Sequence, residues 1–421
     1  MRITSISTRL SWFAIPVIAA LIGPLAWINS GLEGWRMVDF KKAYYAAGET
    51  VLHNGSAALW PLIADANFVN LPIVAWLFAP LAELGPRAAG LIFIMVGLLS
   101  TIIALILLAN IAETKTRPLI GLLFALNGPL WYSLILGNTT QVVLLLLICA
   151  LLLWKQDQSY VAGLLIGVSV IIKPAILPLA GYFVLKRHWR VVLGGVTVAA
   201  TTLAASVLVF GLQFNLDWYQ RIIVGFAGRP MGAFNVQSLD AFLLRLKTGQ
   251  TLLFDWNPQN LPFGLNIVKN ISVASLAALV LLAVWRNRRQ AASPDAAATW
   301  EFNYLDFSMV LTLCVTISTV SWTHYYLLLL LPWGLYLAGA LPVIDDRITR
   351  TLIWSSIFLC SLPVFYPSVD DGWFAMLSSR TLQSVWLYGG LLLLSALLRC
   401  AIMQDNDSRL TLSRPISHPT T

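Results

Sequence analysis

Windows of about 20 consecutive apolar residues recur from Leu10 to Arg399, separated by short polar breaks, and this pattern narrows the possible folds more than any other feature. A window of that length crosses a hydrocarbon core as one helix, and in lipid the backbone has to satisfy its own hydrogen bonds. Roughly twelve such windows are present, some of them short. Composition agrees: 58% of the chain is hydrophobic and 11% charged, against roughly 45–50% and about 25% in soluble domains. The expectation is an all-α, polytopic bundle of about 12 transmembrane helices.

Cys149, Cys314, Cys360 and Cys400 sit inside or at the ends of apolar runs, so no disulfide framework or zinc spacing follows. The formal charge of +8 comes from short basic clusters at helix ends, a pattern that suits lipid headgroups and argues against nucleic acid. Arg2/Arg9, the run 186–190, Arg286 to Arg289, and Arg347/Arg350 mark cytoplasmic loops by the positive-inside rule. The expected helices are 10–29, 71–84, 87–109, 119–135, 138–154, 160–185, 190–212, 266–285, 305–321, 324–341, 351–367 and 381–399, with both termini in the cytoplasm. The first is long and lacks a small-residue cleavage site, so it reads as a retained helix and not a secretory signal. Segments 71–84 and 119–135 are short and contain Pro or Gly, so either could be re-entrant.

A transmembrane domain over 1–404 and a polar tail over 405–421 are expected. Two outward-facing loops, 30–70 and 213–265, are too long to be simple turns, and long loops usually carry function. The first contains Tyr44 to Leu52, whose apolar stripe suits an interfacial helix. The second mixes Trp218, Tyr219, Phe226, Phe234 and Trp256 with Arg221, Arg229, Arg245 and Lys247, a combination that suits the headgroup region.

In so apolar a chain, an ionisable residue within or beside a span is the informative event, because burying it costs at least ~2.5–3.5 kcal/mol. Lys173 falls mid-helix in Ile171-Ile172-Lys173-Pro174, too deep to snorkel easily, where Pro174 removes a backbone donor and breaks the helix. It is either an anion-binding group or a lysine paired for packing. Asp39, in Val38-Asp39-Phe40, has large apolar residues on both immediate sides; the alternative reading is a solvated carboxylate or a helix N-cap. His324 stands in Trp322-Thr323-His324-Tyr325 at an outer turn, as a member of an aromatic belt or as a titratable group. Asn138 and Gln141 enter an apolar helix one turn apart, and Asn235, Gln237 and Ser238 form a similar polar group; each set either caps a helix or binds a hydroxylated ligand. There is no glycine-rich phosphate loop, His-Glu-x-x-His helix, nucleophile elbow or carboxylate cluster with metal spacing, so neither a cofactor nor a metal is expected.

In order along the chain these elements resemble glycosyltransferase family 87, membrane enzymes of the GT-C class. The resemblance rests on Asp39-Phe40 with Ala43 to Ala47; Leu59-Trp60-Pro61 with Ala75 to Leu81; Gly137-Asn138 to Gln141; Ala162-Gly163 with Ile172-Lys173-Pro174; and Ser321 to Tyr325. Asn235 to Leu239 is a weaker sixth stretch, and Asn70-Leu71-Pro72 departs from a pattern in which relatives often show an aromatic and two prolines. The resemblance implies an inverting transferase of the cytoplasmic membrane, active on its outer face, that takes a hexose, mannose first, from a polyprenyl phosphate to a glycan or glycolipid. Asp39 would then be the catalytic base. Lys173, His324, Arg221 and Arg229 are the candidates for stabilising the departing phosphate. Asn138, Gln141, Asn235 and Gln237 would orient sugar hydroxyls, with Tyr44, Tyr45 and Trp322 from the same motifs completing the sugar or acceptor contacts. An arabinose-transferring relative is a variant of this reading. A secondary transporter or lipid flippase is the alternative from another class, although the two halves show no matching pair of interrupted helices.

Overall fold

A computed structural model describes residues 36–290, 296–363 and 372–403; the expected helix 10–29 and the tail 405–421 lie outside the described residues. The described chain is helical, and its one β feature is an isolated bridge between Val236 and Trp322. Among the described residues four helices are long and apolar enough to cross a membrane: Gly85–Ile111, Trp189–Phe210, Phe263–Asn287 and Trp373–Met403. Arg117–Leu126 and Gly128–Leu136 make a fifth if the pair, bent by 51°, counts as one span. This is a multi-pass membrane protein.

Fewer full-length helices appear than hydropathy suggests because several apolar windows are broken. The window 160–185 becomes a helix Ser159–Ile172, a 3-10 turn Pro174–Ile176 and a helix Pro178–Leu185, split at Lys173-Pro174 as the proline requires. The window 324–341 starts as a 3-10 helix Thr323–Leu329 before Leu330–Leu337. Segment 71–84 forms no long helix: it folds as a 3-10 helix Pro72–Leu77 and a single turn Ala79–Ala82, packed against the loop that precedes it.

Two helices show where the lipid lies. Trp189–Phe210 and Phe263–Asn287 have only 17% of their apolar windows buried against protein. Leu193, Val196, Leu203, Leu208, Ile267 and Ile271 are therefore exposed large hydrophobics. A helix apolar all round yet uncovered by protein is stable only where the solvent is itself apolar. Trp189–Phe210 packs on Ser159–Ile172 through glycines, Gly163 against the Val191 carbonyl and Gly194 against the Tyr160 carbonyl. Close approach through small residues is how membrane helices gain dispersion contact without a hydrophobic drive.

One end of the bundle holds a buried ion pair that corrects the reading of Lys186 as a loop charge. Lys186 Nζ lies 2.7 Å from Asp306 Oδ2, with side chains 3% and 0% exposed. Asn287 Nδ2 donates to the other carboxylate oxygen at 2.7 Å. Lys186 and Asn287, and with them the helix ends that carry the clusters, thus lie at one end of the molecule.

At the other end the two long loops are packed structure. The first runs through a π-helix Phe40–Tyr45 and a helix Ala46–His53, whose apolar stripe faces the segment 72–79 and not lipid. Ile222 of the second loop is buried in the same cluster as Val51, Leu59, Ile63, Phe68 and Val74. Arg245, grouped by sequence with the headgroup-facing residues, is fully buried. It donates to the carbonyls of Ala233 (2.8 Å) and Val236 (2.9 Å) and to Ser384 Oγ (2.8 Å). A guanidinium has five donors on one plane, so it can gather a loop's carbonyls where a point charge cannot.

Candidate active site

The site begins at the end of the helix Gly128–Leu136. Gly137 is left-handed (φ 69°), its N–H reaches the Leu134 carbonyl at 3.2 Å, and the Asn138 N–H reaches Ser133 at 3.1 Å. Such a terminus turns the chain sharply and favours glycine. Here glycine has a second reason, since a Cβ would fall 2.8 Å from the Met37 thioether and 2.9 Å from Phe40 Cβ. The first loop docks in that space, with the Met37 N–H donating to the Ile135 carbonyl at 2.8 Å. Met37 itself takes φ 54° and leads directly into Asp39 and the π-helix. A π-helix is a rare form that occurs often at functional sites.

Asp39, Asn138 and Lys173 form one chain of hydrogen bonds. Asn138 Nδ2 donates to Asp39 Oδ2 at 2.7 Å, and Lys173 Nζ donates to Asn138 Oδ1 at 2.9 Å. Thr140 holds the same oxygen through its hydroxyl (2.7 Å) and its N–H (3.2 Å), which fixes the amide's orientation. Asn138 and Lys173 are buried and Asp39 is partly buried. Among the described residues no second group hydrogen-bonds the carboxylate. Burial pushes the Asp39 carboxyl up to about 6, against the opposing pull of the Asn138 bond and then of the Lys173 charge. The helix break explains how Lys173 reaches this point: it caps Ser159–Ile172 instead of lying within a continuous span.

Aromatic rings wall the site. Tyr44 stacks on Phe78 with centroids 4.9 Å apart and on Phe93 at 5.7 Å, while its hydroxyl meets Thr139 Oγ1 at 3.1 Å. The Lys173 ammonium lies 5.1 Å from the Tyr325 ring centroid, a cation–π contact. His324 packs edge-on against Tyr325 at 5.0 Å, buried, and among the described residues neither ring nitrogen has a hydrogen-bond partner.

Asp39, Tyr44, Asn138 and Lys173 are therefore brought together, with His324 joined to them through Tyr325. The other candidates are engaged elsewhere. Gln141 is buried, donating to the Asn138 carbonyl at 2.7 Å and accepting from Ser133 Oγ at 3.1 Å, so it secures the turn beneath Asn138. Tyr45 lies on Phe40 with centroids 5.8 Å apart. Asn235 accepts from Trp256 Nε1 at 2.9 Å, and its backbone carbonyl accepts from the Thr323 N–H at 2.9 Å. Gln237 donates to the Gln383 carbonyl, its N–H reaches Ser321 at 2.6 Å, and Trp322 is bridged to Val236. Arg221 is exposed and committed to the Ala64 carbonyl (Nε, 2.8 Å), and Arg229 is exposed. Thr139, Thr140 and Tyr325 lay inside quoted motifs, yet hydroxyl and phenol groups in apolar helices give no sign of their role. Among the described residues no three His, Cys, Asp or Glu side chains converge as a metal site would require.

A part-buried carboxylate beside aromatic rings, tied through a neutral amide to a lysine, is equipped to accept a proton. No solved structure matches the chain. It is 31% identical over 155 residues to the alpha-(1->3)-arabinofuranosyltransferase of Corynebacterium glutamicum, a stretch covering 35% of this chain and 37% of that protein. The model of glycosyltransferase family 87 matches residues 68–312, more than half of the chain and a range that includes Asn138 and Lys173; the chain belongs to glycosyltransferase family 87.

Proposed function

We propose that this membrane glycosyltransferase moves a sugar from a polyprenyl phosphate to a hydroxyl of a glycan or glycolipid, inverting the anomeric centre, at the outer face of the cytoplasmic membrane. The observation that carries the reading is the Asp39–Asn138–Lys173 chain. A sugar hydroxyl is a weak nucleophile, and a carboxylate whose basicity is raised by burial is a suitable general base. As the acceptor oxygen bonds to the anomeric carbon, its proton passes to Asp39 and the bond to the phosphate oxygen breaks. The polyprenyl phosphate leaves as an anion, so it needs positive donors and no general acid. Lys173 has three donors and commits one to Asn138, which leaves two for that phosphate. Arg229, His324 and the remaining N–H groups of Arg221 are the further candidates, and Tyr44 lines the sugar's surroundings.

Arabinofuranose is the first donor sugar to test, because the 31% identical relative is named for its transfer. Mannose is the second. A topology of about twelve crossings with both termini inside accompanies this reading, with broken segments counted as crossings. The test is transfer from radiolabelled polyprenyl-phosphate arabinofuranose and polyprenyl-phosphate mannose in membranes carrying the protein or its Asp39→Asn variant. The expected result is labelled glycolipid with one donor, lost in the variant at unchanged protein abundance. Transfer retained by Asp39→Asn would remove the catalytic assignment.

A further inference from the structure

The break beside Lys173 leaves the Ile172 carbonyl unanswered by its own helix. The Lys173 N–H goes to Ser169 (2.8 Å), Pro174 has no N–H, and the Ile176 N–H goes to Lys173 (3.1 Å). The Ile172 carbonyl, one peptide unit before Lys173, takes its hydrogen bond from Asn70 Nδ2 at 3.0 Å. Asn70 is 5% exposed and belongs to the first outer loop. Its surroundings are fixed: Phe68, Leu71 and Val74 are buried in the loop's own cluster, against which Ile171 packs. A buried carbonyl left without a donor is costly enough to favour a different geometry at the break.

We infer that Asn70 is a positioning residue for Lys173, acting through the Ile172 carbonyl. Two asparagines then hold the lysine, Asn138 at its ammonium and Asn70 at its backbone, and the loop that carries Asp39 also carries Asn70. The distance between base and cation is thereby set by one packed unit. The activity part of the test rests on the transferase reading; the labelling part does not.

The test compares Asn70→Leu, which removes the donor at similar volume, with Asn70→Gln, which keeps an amide. Full-length protein in detergent is treated with a reductive-methylation reagent and each lysine is quantified by mass spectrometry. Lys173 labelling is expected to rise several-fold in Asn70→Leu and to return toward wild type in Asn70→Gln. Lys186, buried at the opposite end, should be unchanged and reports any general loosening. In membranes supplied with polyprenyl-phosphate arabinofuranose or mannose, kcat of Asn70→Leu should fall about ten- to a hundredfold, as expected for misplacement by about 1 Å. The acidic limb of its pH profile should also rise, because a less fixed Lys173 holds the Asp39 charge less well. Unchanged Lys173 labelling in Asn70→Leu overturns the inference, and so does a parallel rise at Lys186. If Lys173 labelling rises alone while wild-type protein transfers neither sugar, the clamp stands and the transferase reading falls.

Discussion

Replacing Asn138 by leucine tests the hydrogen-bond chain at its centre. The change removes the 2.7 Å bond to Asp39 and the 2.9 Å bond from Lys173 while nearly preserving volume. A hydrogen bond to a charged group contributes roughly 1.5–3 kcal/mol. At about 1.4 kcal/mol per pH unit, losing the Asn138 bond should raise the Asp39 carboxyl by about one to two units. The starting point is about 6, so the variant should titrate near 7 to 8. The sign follows from the role of a base: transfer is present above the carboxyl's pKa and lost as pH falls through it. Wild-type transfer should therefore fall away below about 6. Asn138→Leu should already be about half to tenfold reduced at pH 7, and should approach the wild-type rate about two units higher. Initial rates of labelled transfer between pH 5 and 9 measure both curves. An acidic limb that stays in place would refute the reasoning. A limb that moves down would do so as well, by showing that Lys173 pairs directly with Asp39 once the amide is gone.

Other sites give sharper structural outcomes. Gly137→Ala should cost about 1–2 kcal/mol from the left-handed backbone alone. Its methyl group also meets Met37 and Phe40, so both the thermal midpoint in detergent and the transfer rate should drop. Lys186→Met and Asp306→Leu should each destabilise by about 3–5 kcal/mol, and the double variant by much less, because only the singles leave a buried charge alone. Thermal unfolding of all three closes the cycle, and additive losses would refute coupling. Arg221→Ala should change stability by no more than about 1 kcal/mol, as befits an exposed side chain. A rise of more than about tenfold in donor KM in that variant would place its guanidinium on the phosphate.

Much of this architecture was legible from elementary signals. Length and uniformity of the apolar windows gave the membrane class, and Pro174 gave the broken helix because a missing N–H has one structural consequence. Asp39, Asn138 and Lys173 stood out because a polar side chain is costly in apolar surroundings and has to find a partner. What the sequence could not convey was pairing. Nothing local distinguishes Lys186 from its neighbour Arg187, yet one is buried against Asp306 and the other exposed. Arg245 sits in a run that suits headgroups, and only the fold of residues 232–236 turns it inward. Gln141 and Gln237 have the donors a sugar would need, but backbone groups reach them first.

The joint between the two long loops has a mechanical result. Ile222 is sealed among side chains of the first loop, and Arg221 clips to Ala64, so the two move as one plate and not as two independent flaps. A bulky substrate that displaces one loop must therefore displace both. A covalent tether between 64 and 221 leaves that common motion free, so transfer should survive it.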